Sequence, residues 1–86
     1  MTISEAMNTY NPALSILTEK GFEIKVLLNE EKEEIFRWQA IKDGTDIFAF
    51  NPLSLLALCT IYEQYGENWK TYMYPDLYDE FLENAE

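Results

Sequence analysis

The sequence predicts an α+β fold, a three-stranded antiparallel β-meander packed with helices in the order α-β-β-β-α-α. Three observations predict it. Phe22, Ile24, Val26 and Leu28 fall at every second position, with Glu23 and Lys25 between them, which is the period of a half-buried strand. Asp43-Gly44 separates two runs rich in β-branched and aromatic residues, and such a pair supplies the positive φ angles of a two-residue hairpin turn. Asn51-Pro52 opens and Gly66 closes a long apolar segment, the punctuation of a helix with an N-cap, a proline first turn and a glycine stop.

The first element is expected as a helix over Thr2–Lys20 with Gly21 as its stop. Thr2 and Glu5 have capping-box spacing. Pro12 either kinks this helix or separates off a second segment, Pro12–Lys20, and Asn11-Pro12 itself has the form of a helix start. Ala13, Leu14, Ile16 and Leu17 give that segment a narrow apolar face, expected to lie on the sheet. The first strand follows at Phe22–Leu28, and the polar run Asn29–Glu34 reads as an exposed loop.

The second and third strands are expected at Ile35–Lys42 and Thr45–Phe50. Pairing Lys42 with Thr45 across the turn sets Ala40 against Ile47 and Trp38 against Ala49. One face then carries Phe36, Trp38, Ala40, Ile47 and Ala49; the other carries Ile35, Arg37, Gln39, Ile41, Phe48 and Phe50. Both faces are apolar. Either helices or the C-terminal tail cover both, or Phe48 and Phe50 belong to a partner or homodimer surface. Pro52–Tyr65 is apolar nearly all round, so it is expected as the central helix and core organiser. A short last helix is expected over Pro75–Asn84, with Leu77, Tyr78, Phe81 and Leu82 on one side. Trp38 is expected in the core, and Trp69, after Gly66, as an anchor for the tail.

The 86 residues suit one small acidic domain. Six basic and sixteen acidic residues give a net charge of −10. Direct binding to nucleic-acid phosphates is not expected, because affinity there comes from Lys and Arg displacing counterions. Anionic membrane surfaces are disfavoured for the same reason. A protein partner with a basic surface fits the charge, and so does a simple solubility role. The single cysteine fits a reducing compartment. The first twelve residues lack a basic segment followed by an apolar run, and Pro52–Ile61 is too short to span a bilayer. A cytoplasmic location is the expectation.

No enzyme chemistry is expected. The chain has no histidine to activate Cys59, Ser4, Ser15 or Ser54, and Cys59 lies among Leu55, Leu56, Leu58 and Ile61. Glu30, Glu31, Glu33 and Glu34, or Asp43 with Asp46, would need a concave site to act together. Asp43–Asp46 lacks the ligand spacing of a calcium loop, and three glycines in turn or cap positions build no phosphate cradle. No cofactor or metal is therefore expected.

What remains is binding. Residues 71–86 hold five acids and four large rings without a Lys or Arg. On a helix, Asp76, Asp79, Glu83 and Glu86 fall at steps of three, four and three, which makes one acidic stripe with neighbours about 5–6 Å apart. The expected function is a non-enzymatic protein-interaction module. Its expected contacts are Tyr72, Tyr74, Asp76, Tyr78, Asp79, Glu83 and Glu86, with Phe48 and Phe50 as a second surface. The alternative is an inhibitor that imitates nucleic acid and occupies the basic groove of a nuclease or DNA-binding protein. Its charge and small α/β build are similar to those of some phage-encoded nuclease inhibitors, a likeness of architecture and not of any motif.

Overall fold

A computed structural model describes residues 1–85. The elements are α1 (Tyr10–Glu19), β1 (Glu23–Leu28), β2 (Ile35–Lys42), β3 (Thr45–Ala49), α2 (Pro52–Tyr65) and α3 (Leu77–Glu83). One-turn 3-10 segments precede α1 at Met7–Thr9 and follow α2 at Gly66–Asn68. The strands form one antiparallel sheet in the order β1-β2-β3. The fold is thus α+β, with the helix-strand order read from the sequence.

The hairpin sets the register. Asp43 and Gly44 have φ of 50° and 79°, both positive as a type I′ turn demands. Lys42 pairs with Thr45, Ala40 with Ile47 and Trp38 with Ala49, as the turn chemistry requires. Between β1 and β2 the register slips: Leu27 faces Arg37 but Leu28 faces Ile35. Phe36 is the extra residue of this bulge, and it is exposed. The strict alternation expected for Ile35 and Phe36 therefore fails, because a bulge breaks the two-residue period. The loop before it is organised by Asn29, whose Oδ1 accepts from the backbone N–H of Glu33 at 3.0 Å.

The first helix departs from expectation at its start. No regular structure occurs before Met7, so the Thr2–Glu5 spacing caps nothing. Pro12 stands in the first turn of α1, where its missing N–H would have no helical partner anyway. Its ring clashes with a helical carbonyl four residues back, which stops α-helix from extending toward Thr2. At the other end Gly21 has φ of 91°. Phe22 N–H donates to Leu17 O at 3.1 Å and Gly21 N–H to Thr18 O at 3.0 Å, the paired bonds of a Schellman stop. Lys42 Nζ adds a bond to Lys20 O at 2.6 Å, a cation at the negative end of the helix.

Both long helices lie on one face of the sheet. Leu17, Phe22, Ala40, Ala49, Leu55 and Cys59 form the buried core, with Ile24, Trp38, Ile47 and Leu56 packed around it. Asn51 starts α2 as expected, its Oδ1 accepting from Ser54 N–H at 2.8 Å. The position of α2, however, is one-sided. Pro52, Leu55 and Cys59 are buried, whereas Leu58, Ile61 and Tyr65 are 36–41% exposed. Among the described residues no further helix or strand covers the outer side of α2, so that apolar side has no second layer to meet. The opposite sheet face, with Arg37, Gln39 and Phe48, likewise has no helix on it, and no other helix or strand packs along α3. Among the described residues no helix is long and apolar enough to cross a membrane.

This one-sided packing separates two leucines on the same helix. Leu55→Ala empties a fully buried site and should cost about 2–5 kcal/mol. Leu58→Ala removes a side chain that is already 41% exposed and should cost less than about 1 kcal/mol. Urea unfolding of the two variants measures the difference; equal losses would mean that Leu58 is covered.

Candidate functional site

The C-terminal segment leaves α2 at Gly66, whose φ of 68° turns the chain. Tyr65, Tyr72 and Tyr74 then form a triangle of rings with centroids 4.9–5.0 Å apart. Tyr74 Oη donates to the Trp69 carbonyl. Partial desolvation, and then Tyr65 and Tyr72, push the Tyr74 phenol above its ordinary value. Two of the tyrosines expected as contacts, Tyr72 and Tyr74, are thus tied to the end of α2 and hold the tail in place.

Beyond them, Asp76 has φ of −80° and ψ of 66°, outside the helical region, so α3 starts at Leu77. Seven residues give it two turns. Tyr78 and Phe81 are 77% and 72% exposed, and Leu77 and Leu82 are exposed beside them. Asp79 and Glu83, four apart, share one side of the helix, with Asp76 just before its first turn. The ion pairs among the described residues are Lys20–Glu63 and Lys25–Glu23, so none of these three acids is paired with a cation. Glu86, the last residue of the expected stripe, lies outside the described residues.

Phe48 and Phe50 stand apart from α3, on and just after β3. The Arg37 guanidinium lies 4.1 Å from the Phe48 ring centroid and 5.2 Å from that of Phe36, within cation–π range. Its Nε is buried without a hydrogen-bond partner. These residues line a shallow hollow of about 230 Å³ together with Ala49 and Phe50.

A larger groove, of about 520 Å³, runs along β3 itself. Thr45, Asp46, Ile47 and Phe48 make one wall; Leu58, Ile61 and Tyr62 of α2 make the other, and Glu67 and Trp69 border it. One hydrogen bond joins the walls: Thr45 Oγ1 and Tyr62 Oη are 3.0 Å apart. Within the sheet, Gln39 Nε2 of β2 donates to Asp46 Oδ1 at 2.8 Å. Of the expected contacts only Phe48 belongs to this groove. Sequence reasoning missed the rest, although a signal was present. Leu58, Ile61 and Tyr65 form a second apolar stripe on α2, beyond the Leu55 and Cys59 side that meets the sheet.

Cys59 is fully buried, and burial first and Glu63 second push its thiol up from 9.0 to about 11, with Lys20 pulling the other way. Among the described residues no three His, Cys, Asp or Glu side chains gather where they could hold a metal ion. No protein-family model matches the chain, and no curated protein or solved structure is significantly similar to it.

The folded thiol keeps its proton to higher pH than the unfolded one. Its contribution to stability is therefore present below pH 9 and falls as pH rises toward about 11. At pH 8 the smaller thiolate fraction alone should slow modification of native Cys59 about 100-fold relative to the unfolded chain. Reaction with a chromogenic disulfide, with and without urea, checks this; equal rates would place Cys59 outside the core.

Proposed function

We propose that this protein is a non-enzymatic interaction module for a partner with a basic surface. One observation carries the reading. The chain has two Trp, six Tyr and five Phe; Phe22 is buried, Trp38 packs against the core, and nine of these rings are exposed. Burying a large side chain stabilises a fold by about 1.5–3 kcal/mol, and a chain of this size has few other sources of stability. Rings left outside a small core are surface that a partner covers. Tyr78 and Phe81 of α3 and Phe48 and Phe50 of the β3 side supply the apolar contact. Asp76, Asp79 and Glu83, unpaired with any cation, supply the field that draws a basic partner in.

That same lack of cations favours a second reading, in which α3 imitates nucleic-acid phosphates in a basic groove. The two readings differ in what competes for the partner: an oligonucleotide displaces the protein in the second and leaves it bound in the first.

Affinity capture from extracts of the source cell, with the full chain as bait, tests the proposal. Tyr78→Ser with Phe81→Ser should cut retention of the specific partner about tenfold or more. Charge reversal of Asp76, Asp79 and Glu83 should slow association and flatten its salt dependence. Capture of the same proteins in the same amounts by both variants would contradict the proposal.

A further inference from the structure

The two edges of the sheet are not alike. β1 carries Lys25 in its middle, and a lysine on an edge strand discourages pairing with another chain. β3 has no Lys, no Pro and no bulge in its pairing with β2. In a two-residue hairpin Lys42 and Thr45 exchange both backbone bonds, so Thr45, Ile47 and Ala49 bond inward to β2. The N–H and C=O groups of Asp46 and Phe48 then face outward. No backbone or side-chain hydrogen bond among the described residues engages them. This bare edge borders the 520 Å³ groove, where Leu58, Ile61 and Trp69 are all exposed.

We propose that the β3 edge takes an extended segment of the partner as a fourth strand, and that this segment alternates basic and apolar residues. The proposal rests on the interaction-module reading and names the part of the partner that is recognised. Backbone pairing to Asp46 and Phe48 supplies the register, and the groove takes alternate side chains. Charge selects the occupant. Asp46 and Glu67 are the charged residues of the groove, and the chain as a whole carries −10. A Lys or Arg on the added strand meets Asp46 on the Gln39 side of the sheet, while its apolar neighbours, on the other side, reach Leu58, Ile61 and Trp69. A second copy of this chain would bring a second Asp46 and Glu67 to the same seam. The chain's own α3 would bring Asp79 and Glu83 to it.

The probes are eight-residue synthetic peptides: one alternating Lys with Val, one alternating Glu with Val, and the first with a central proline. Titration into the full-length protein is followed by amide NMR and hydrogen exchange. The Lys peptide is expected to shift the amides of Asp46, Ile47 and Phe48 and to protect those of Asp46 and Phe48 from exchange. The Glu peptide should bind at least about tenfold more weakly, and the proline peptide should lose the protection because it lacks a backbone donor. Asp46→Pro blocks the outward edge without removing a backbone bond to β2, giving up only the side-chain bond from Gln39, and should abolish binding. Leu58→Ser, at an exposed position, should weaken binding while leaving the fold intact. Equal binding of the proline peptide, or shifts confined to α3, would overturn strand addition and leave the interaction-module reading standing. Protection of Asp46 and Phe48 by dimerisation without peptide would overturn the choice of occupant. Loss of capture in the α3 ring variants tests the broader reading by itself.

Discussion

Leu17 of α1 and Leu55 of α2 belong to one buried cluster with Ala40 and Ala49 of the sheet, and the rest of the molecule depends on that packing. Ala40 within β2 and Ala49 at the end of β3 let both helices come close. The two leucines are fully buried there, as is Cys59 one turn further along α2 from Leu55. The ends of the elements are arranged to deliver these residues. The Schellman stop at Gly21 turns Phe22 back toward Leu17, and the Asn51 cap begins α2 directly after β3. A change at Leu55 therefore removes support from a helix and a sheet together, which is why cavity and packing effects dominate at such positions.

The same packing leaves surface uncovered. With both helices on one side of three strands, there is no second layer for the outer side of α2 and none for the far face of the sheet. Leu58, Ile61 and Tyr65 remain accessible on the first, and Phe48 on the second. The Thr45–Tyr62 bond fixes the gap between β3 and α2, so the groove is a consequence of how the core is built. The tail adds to the exposed area without closing it. Tyr65, Tyr72 and Tyr74 pin the chain near Trp69, and α3 then extends with its rings exposed. A core served by Phe22, with Trp38 packed against it, and a surface carrying nine exposed rings is the arrangement from which the interaction reading grows.

The sheet was legible from the sequence where local chemistry decides the answer. Asp43-Gly44 admits few turn geometries, and its two-residue length dictates every pair down to Trp38 and Ala49. Gly21 and the Asn51-Pro52 pair likewise act within a few residues of themselves. The start of α1 was not legible, because Thr2 and Glu5 have suitable spacing but only the Pro12 ring decides that helix ends before reaching them. The bulge at Phe36 has no local sequence signal of its own. The sidedness of α2 is a question of how many layers the fold has, and an all-round apolar helix looks alike whether another layer or a partner covers it. For the candidate site, the rings and acids of residues 72–83 and the two phenylalanines were legible as types. Their separation into an anchoring pair, a free helix and an edge groove required three dimensions.

The helices cover one face of the sheet only and leave the β3 edge bare. Amide hydrogen exchange in dilute solution reads this out residue by residue along β3. Ile47 and Ala49, which donate to β2, should exchange slowly, while Asp46 and Phe48, which alternate with them, should exchange nearly as fast as in an unstructured peptide. Uniform slow exchange from Asp46 to Ala49 would contradict it, because something would then be covering the edge.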